Sequence, residues 1–148
     1  MISCDERYIP YLCKMIGCRL PPDGTCIVSV RDDNTPLAGV VYEGYNEQIV
    51  FAHIWIDVGV RPDRDWMAAI FDYPFNRMNV HKIVGQVKSS NTEARKLDEH
   101  LGFQLESSIK DFFAPGDDLL AYTMTREQCR VLNSHRWAKY VERMSRAE

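Results

Sequence analysis

The segment KIVGQVKSSNTEARKLDEHLGFQLESSIKDF, residues 82–112, constrains the fold of this chain more than any other. A strand over 81–89 runs into a doubled serine and an asparagine. One short helix follows over 91–101, and a second strand over 103–112. Ser90 and Glu93 have the S-x-x-E spacing of a capping box, with Asn91 as a rival N-cap. Ala94, Leu97 and Leu101 fall at i, i+3 and i+7, so one face of the helix is apolar. Gly102 supplies the left-handed residue that ends the helix, and Phe103 can pack back over the last turn. Strands separated by a helix need a crossover, so this helix must lie against the face of a sheet.

The remaining pattern adds strands before this unit and after it. Residues 5–17 read as a short amphipathic helix interrupted near Pro10, and LPPDG at 20–24 closes it. TCIVSVR (25–31) and PLAGVVYEG (36–44), joined by DDNT, and QIVFAHIWID (48–57) form an antiparallel meander. RPDRDWMAAIFDYPFNRM is a loop and a helix, capped by Asp63 or Asp65 and bent or ended by Pro74. Its aromatic group has helical spacing and suits a core or a dimer surface. DLLAYTMT (118–125) is a last strand, and a helix closes the chain near 126–146. Trp137, Tyr140, Val141 and Met144 give that helix an apolar stripe, to pack on its own domain or on a second subunit as a homodimer. The expectation is one α/β (α+β) domain over 1–148. It has a mixed, mostly antiparallel central sheet of about six strands with helices on both faces.

Composition narrows the class of function. With 148 residues, 45% hydrophobic and 26% charged, the chain can bury a core of its own. A net charge of −3 gives no electrostatic reason to expect nucleic acid or an acidic membrane as partner. The first residues lack the apolar core of a signal peptide, and no apolar run approaches the length of a membrane span. The five cysteines are odd in number and have no C-x-x-C or His-paired spacing. Neither a disulfide framework nor a metal site is indicated, and a reducing cytoplasm is the expected setting.

The order of elements, with KIVGQVK, SSNTEAR, LDEHLGFQLESSIKD and DDLLAYTM, resembles the GNAT family of acyl-CoA-dependent N-acetyltransferases. It is similar to the branch of the ribosomal-protein alanine acetyltransferases. Around FDYPFN and LGF it also resembles small GNAT-like proteins of tailed bacteriophages. The resemblance spans about residues 25–126 and is more specific in its C-terminal half.

It implies acetyl-CoA as donor, inserted in a V-shaped gap between strand 48–57 and strand 82–88 and held by their backbone groups. A backbone N–H of the first strand would polarise the thioester carbonyl. The acceptor would be a primary amine: a protein N-terminus, a lysine or a small amine. Asn91 would sit beside the CoA arm, a place compatible with a capping role.

Two departures from the family pattern stand out. The pyrophosphate loop R/Q-x-x-G-x-G/A is replaced by VGVRPDRDWMAA, which has Gly59 before the loop and none in register within it. Arg61 and Arg64 can bind phosphate by charge and hydrogen bonds, while Asp63 and Asp65 work against a polyanion. The alternative is a solvated loop. The tyrosine that protonates the departing thiolate in many members is here Asp98. With an ordinary pKa of about 3.9 it cannot donate a proton at neutral pH unless burial raises it strongly. Tyr122 is another candidate acid, or a packing residue.

Strand 48–57 carries the remaining chemistry. Its alternation separates Val50, Ala52, Ile54, Ile56 and Val58, expected on the core face, from Phe51, His53, Trp55 and Asp57, expected on a cleft face. Amine acetylation needs a base to remove the ammonium proton, and His53 can accept it directly or through water. Asp57 can orient His53 or attract a cationic substrate. Otherwise His53 is a structurally bonded residue of a half-buried strand. The missing glycines and tyrosine fit a rival expectation, a catalytically degenerate GNAT-fold binding module, for which the second resemblance implies a phage origin.

Overall fold

The computed structural model of the chain describes residues 1–135 and 137–146, without the side chains of Met144 and Ser145. Its elements are β1 (Ile2–Ser3), α1 (Ile9–Ile16), β2 (Thr25–Val30), β3 (Pro36–Glu43), β4 (Ile49–Ile56) and α2 (Arg64–Asp72). They continue with β5 (Lys82–Lys88), α3 (Thr92–Leu101), β6 (Gln104–Ala114), β7 (Asp117–Thr125) and α4 (Ala138–Arg146). The strands form one seven-stranded sheet in the order β1-β2-β3-β4-β5-β7-β6. Every neighbouring pair is antiparallel except β4 and β5. The strand beyond the six expected is β1, whose two residues pair with Ser29 and Val28.

The strand alternation divides the core between the two faces of the sheet. On one face Ile27, Val40, Val50, Ile83 and Tyr122 pack with Trp66, Ile70, Phe71 and Phe75 of the α2 region and with Leu101 of α3. The aromatic group of residues 66–75 is therefore core. On the other face α1 covers Cys26, Val28, Val41 and Trp55. Pro10 does not interrupt α1. It lies in the first turn, where its missing N–H has no intrahelical partner to lose. A 3₁₀ turn at Glu6–Tyr8, capped by the Asp5 side chain, precedes it.

The end of the chain differs from the expected continuous helix over 126–146. Residues 126–128 form a single 3₁₀ turn, because Thr125 and Gln128 cap each other and Cys129 is extended. The Asn133 side chain then donates to the carbonyls of Arg126 (2.7 Å) and Cys129 (2.8 Å), so the backbone follows turns instead of a helix. Of the expected stripe, Trp137, Tyr140 and Val141 pack against the core, and the Met144 side chain lies outside the described residues. Gly102 locks this region to α3. Its φ is +114°, and a Cβ there would lie 2.3 Å from the Gln128 carbonyl oxygen, so no other residue fits.

Candidate active site

The parallel pair β4–β5 holds register at only three positions, Ile49–Lys82, Val50–Ile83 and Phe51–Val84. Beyond them β4 stays on β3 as far as Ile56, and β5 stays on β7 as far as Lys88. The two strands therefore part, and a wedge opens with Ala52 and Gly85 at its apex.

The backbone of both walls faces into this wedge. In an antiparallel ladder, residues that exchange hydrogen bonds with the neighbour alternate with residues that point away from it. Asp57 N donates to Leu37 O (2.9 Å), so the odd residues of β4 bond to β3. Ala52, Ile54 and Ile56 then turn their N–H and C=O groups toward β5. Likewise Ser89 N donates to Asp118 O (2.9 Å), so Gln86 and Lys88 turn theirs toward β4. Backbone polar groups in this number call for a partner, and an extended chain carrying amides would supply one. Gly85 keeps the apex clear: a Cβ there would stand 3.5 Å from Asp98 Oδ2 and 3.9 Å from Ala52 O.

A cleft of about 990 Å³ surrounds the wedge and opens on both faces of the sheet. On the α1 face it is bordered by Glu43, His53, Trp55, Lys88 and residues 15–19. On the α3 face it is bordered by Ile54, Gly85, Asn91, Ala94, Leu97 and Asp98.

His53, Asp57 and Asn91 line this single cleft. His53 has little exposure, and its Nε2 lies 2.6 Å from Glu43 Oε2. With the carboxylate accepting from Nε2, the other ring nitrogen, Nδ1, is left as the acceptor. The group that orients His53 is thus Glu43 and not Asp57. Asp57 instead accepts from Arg31 (3.0 Å) and from Val58 N (2.9 Å). Val58 was expected on the core face, but β4 ends at Ile56 and Val58 stands 96% exposed in the following turn. Asn91, not Ser90, caps α3, its Oδ1 accepting from Ala94 N (3.1 Å).

The structure does not bring Arg61 and Arg64 into the cleft lining. Arg61 is exposed on the loop after Gly59. Arg64 opens α2 and lies 6.0 Å from the centre of the Tyr140 ring, beside a separate surface hollow. The acidic residues beside them are paired: Asp63 with the Met1 amino group (3.4 Å) and Asp65 with Arg143 (2.7 Å). Tyr122 is fully buried, with its hydroxyl donating to Glu99 (2.9 Å) and accepting from Arg95 (3.4 Å). It is a packing residue tied to α3.

Sequence reasoning missed two features of the cleft. Glu43 is one; its signal is an acidic residue at the end of a strand that pairs antiparallel with the strand of His53. The other is the rim made by Phe112 and Phe113. The β6–β7 register shifts between Ile109 and Ala114, and Asp111 takes a φ of +56°. Asp118 Oδ1 accepts from Asp111 N (2.9 Å), and Asp111 Oδ1 accepts from Gly116 N (2.7 Å). This bulge turns both rings to the cleft.

No family model matches the sequence, and no curated protein matches it. Among solved structures the likeness is close in fold. A dodecameric spermidine N-acetyltransferase from Vibrio cholerae superposes with a TM-score of 0.69 at 17% identity, over 90% of this chain and 96% of that one. The V. cholerae enzyme in complex with CoA and spermine gives 0.66 at 14% identity, over 86% and 96%. A putative acetyltransferase from Acinetobacter baylyi gives 0.55 at 18% identity, over 72% and 66%. The fold is that of the GNAT acetyltransferases.

Proposed function

We propose that this chain is an acetyl-CoA-dependent N-acetyltransferase that moves the acetyl group to a primary amine by direct attack on the thioester. The observation that carries the reading is the wedge, with unpaired backbone groups on both walls and a His–Glu pair at one mouth. The amide-bearing pantetheine arm of acetyl-CoA matches the two rows of donors and acceptors. A β4 N–H, from Ile54 or Ile56, is placed to stabilise the oxyanion that develops on the thioester carbonyl.

The amine enters from the α1 face. His53 removes its proton through Nδ1, directly or by way of water, while Glu43 holds the ring and balances the imidazolium charge. Asp57, paired with Arg31, contributes to the electrostatics of the acceptor mouth. Asn91 lies beside the CoA arm, and Arg61, exposed on the loop past Gly59, reaches for the phosphates. Phe112 and Phe113 offer the acceptor an aromatic wall. The V. cholerae enzymes of this fold are spermidine acetyltransferases, so spermidine and spermine are the first acceptors to test, with lysine side chains and protein N-termini next.

The test is calorimetric titration with acetyl-CoA, followed by a thiol-release assay across those amines. Saturable binding with amine-dependent release of CoA supports the reading. Binding without release by any amine favours a degenerate binding module. No binding at all removes the donor from the account.

A further inference from the structure

One titratable group of the cleft has no part in the steps above. Asp98 is 8% exposed, on the α3 face of the wedge. No hydrogen bond or ion pair engages its carboxyl among the described residues; only its backbone carbonyl is used, by Gly102 and Phe103. The surrounding elements leave it so. From β5 it meets Gly85, which has no side chain. From β7 comes Tyr122, whose hydroxyl is held by Glu99 and Arg95 of the same helix as Asp98; Glu93 and Lys96 are the further charged residues of that helix, and Glu93 lines the cleft. A buried carboxyl without a partner is costly to keep, and such a group in a cleft marks a functional position.

The placement gives it a task. His53 and Glu43 stand on the α1 face of the sheet, and Asp98 stands on the α3 face, level with the apex. An acyl group inserted at the apex meets its amine from one face and releases its leaving group toward the other. We propose that Asp98 is the proton donor to the leaving thiolate. This role rests on the acetyl-transfer reading of the wedge.

The amine lone pair forms the C–N bond to the thioester carbon, and the nitrogen proton passes to His53. The carbonyl re-forms as the C–S bond breaks, and the sulfur electron pair takes the proton of the Asp98 carboxyl. The products are the amide and the CoA thiol. His53 returns its proton to solvent and Asp98 regains one, so no oxidant or further reactant is needed. Burial, with a smaller contribution from Glu99, pushes the Asp98 carboxyl up to about 7, so a substantial fraction of it carries a proton at neutral pH.

The experiment uses Asp98→Asn, which keeps the shape and removes the acid, with two donors: acetyl-CoA and an acetyl aryl thioester whose thiol is far more acidic. With acetyl-CoA the variant is expected to lose about 10²-fold or more in kcat, with KM little changed and the alkaline limb of the pH profile absent. With the aryl donor, which leaves without a proton, the loss should shrink to under about tenfold. Independently, the carboxyl ¹³C shift of Asp98 in the ligand-free protein should titrate near 7. An equal loss with both donors, an intact alkaline limb, or a carboxyl that titrates below about 5 overturns the role. Wild-type protein that turns over no amine overturns the transfer reading itself, and this role with it. Wild-type turnover with an unchanged Asp98→Asn profile overturns this role alone.

Discussion

On the α1 face of the wedge the titratable side chain is partnered: His53 lies 2.6 Å from Glu43, which fixes its ring. On the α3 face Asp98 stands buried beside a glycine, with nothing bonded to its carboxyl among the described residues. The contrast matters because one group has a bonded partner that fixes it, while burial without a partner favours the neutral acid at the other. The Glu43 carboxylate engages one ring nitrogen of His53 and leaves the other as the acceptor. An apolar wall opposite a bare carboxyl favours the neutral acid, which suits a group that must give a proton. The sheet separates them, so neither quenches the other.

The severest test of this asymmetry is removal of its partnered half. His53→Ala is expected to lower kcat by about 10²–10⁴-fold, while acetyl-CoA affinity stays within about twofold; steady-state kinetics and calorimetry read the two quantities. Loss of both together would mean that His53 holds the wedge open and does not serve the chemistry.

The unpartnered half has a signature in stability. An Asp98 carboxyl raised from 3.8 to about 7 by folding binds its proton more tightly in the native state than in the unfolded one. Its stabilising contribution is whole below the ordinary value of 3.8 and is lost as the pH rises through about 7. Between those limits the wild type should lose stability, by roughly 4 kcal/mol at full ionisation. Asp98→Asn should flatten this slope and be the more stable protein at pH 8, as denaturant unfolding at pH 5 and pH 8 will show.

Smaller effects sharpen the same contrast. Glu43→Gln keeps a hydrogen-bond partner for His53 but removes the charge that balances the imidazolium, and should cost about tenfold in kcat. On the loop past Gly59, Arg61→Ala should weaken acetyl-CoA by about tenfold at low salt and by less at high salt. Arg64→Ala, which removes a side chain already laid on Tyr140, should change the affinity by less than about threefold under the same titration.

Much of this arrangement was legible in the chain. The residues 90–103 specify the α3 helix, a cap at Ser90 or Asn91 and the Gly102 stop by local chemistry alone, because caps and left-handed glycines act within one turn; the structure gives the cap to Asn91. The alternation of strand 48–57 placed Val50, Ala52 and His53 on their faces for the same reason. What escaped depends on residues distant in sequence. The Glu43–His53 pair exists because β3 and β4 are antiparallel at one register, and register is a property of the sheet. The state of Asp98 turns on burial by β5 and β7, so the sequence could name only the condition under which it would donate a proton. The expected C-terminal helix forms only over Ala138–Arg146, because the Asn133 side chain competes for backbone carbonyls before it, which apolar periodicity does not register. Arg64 was expected at a phosphate; contact with Tyr140, 76 positions along the chain, directs it elsewhere.

The central claim is that the wedge between β4 and β5 receives the acetyl-CoA arm. It is tested most directly by titrating acetyl-CoA calorimetrically into the wild type and into Gly85→Val, with a thermal melt to establish that the variant is folded. The account predicts saturable binding by the wild type and none by the folded variant, because the added methyl groups occupy the apex beside Asp98 and Ala52. Equal affinity in the two proteins, or no binding by the wild type, would contradict it.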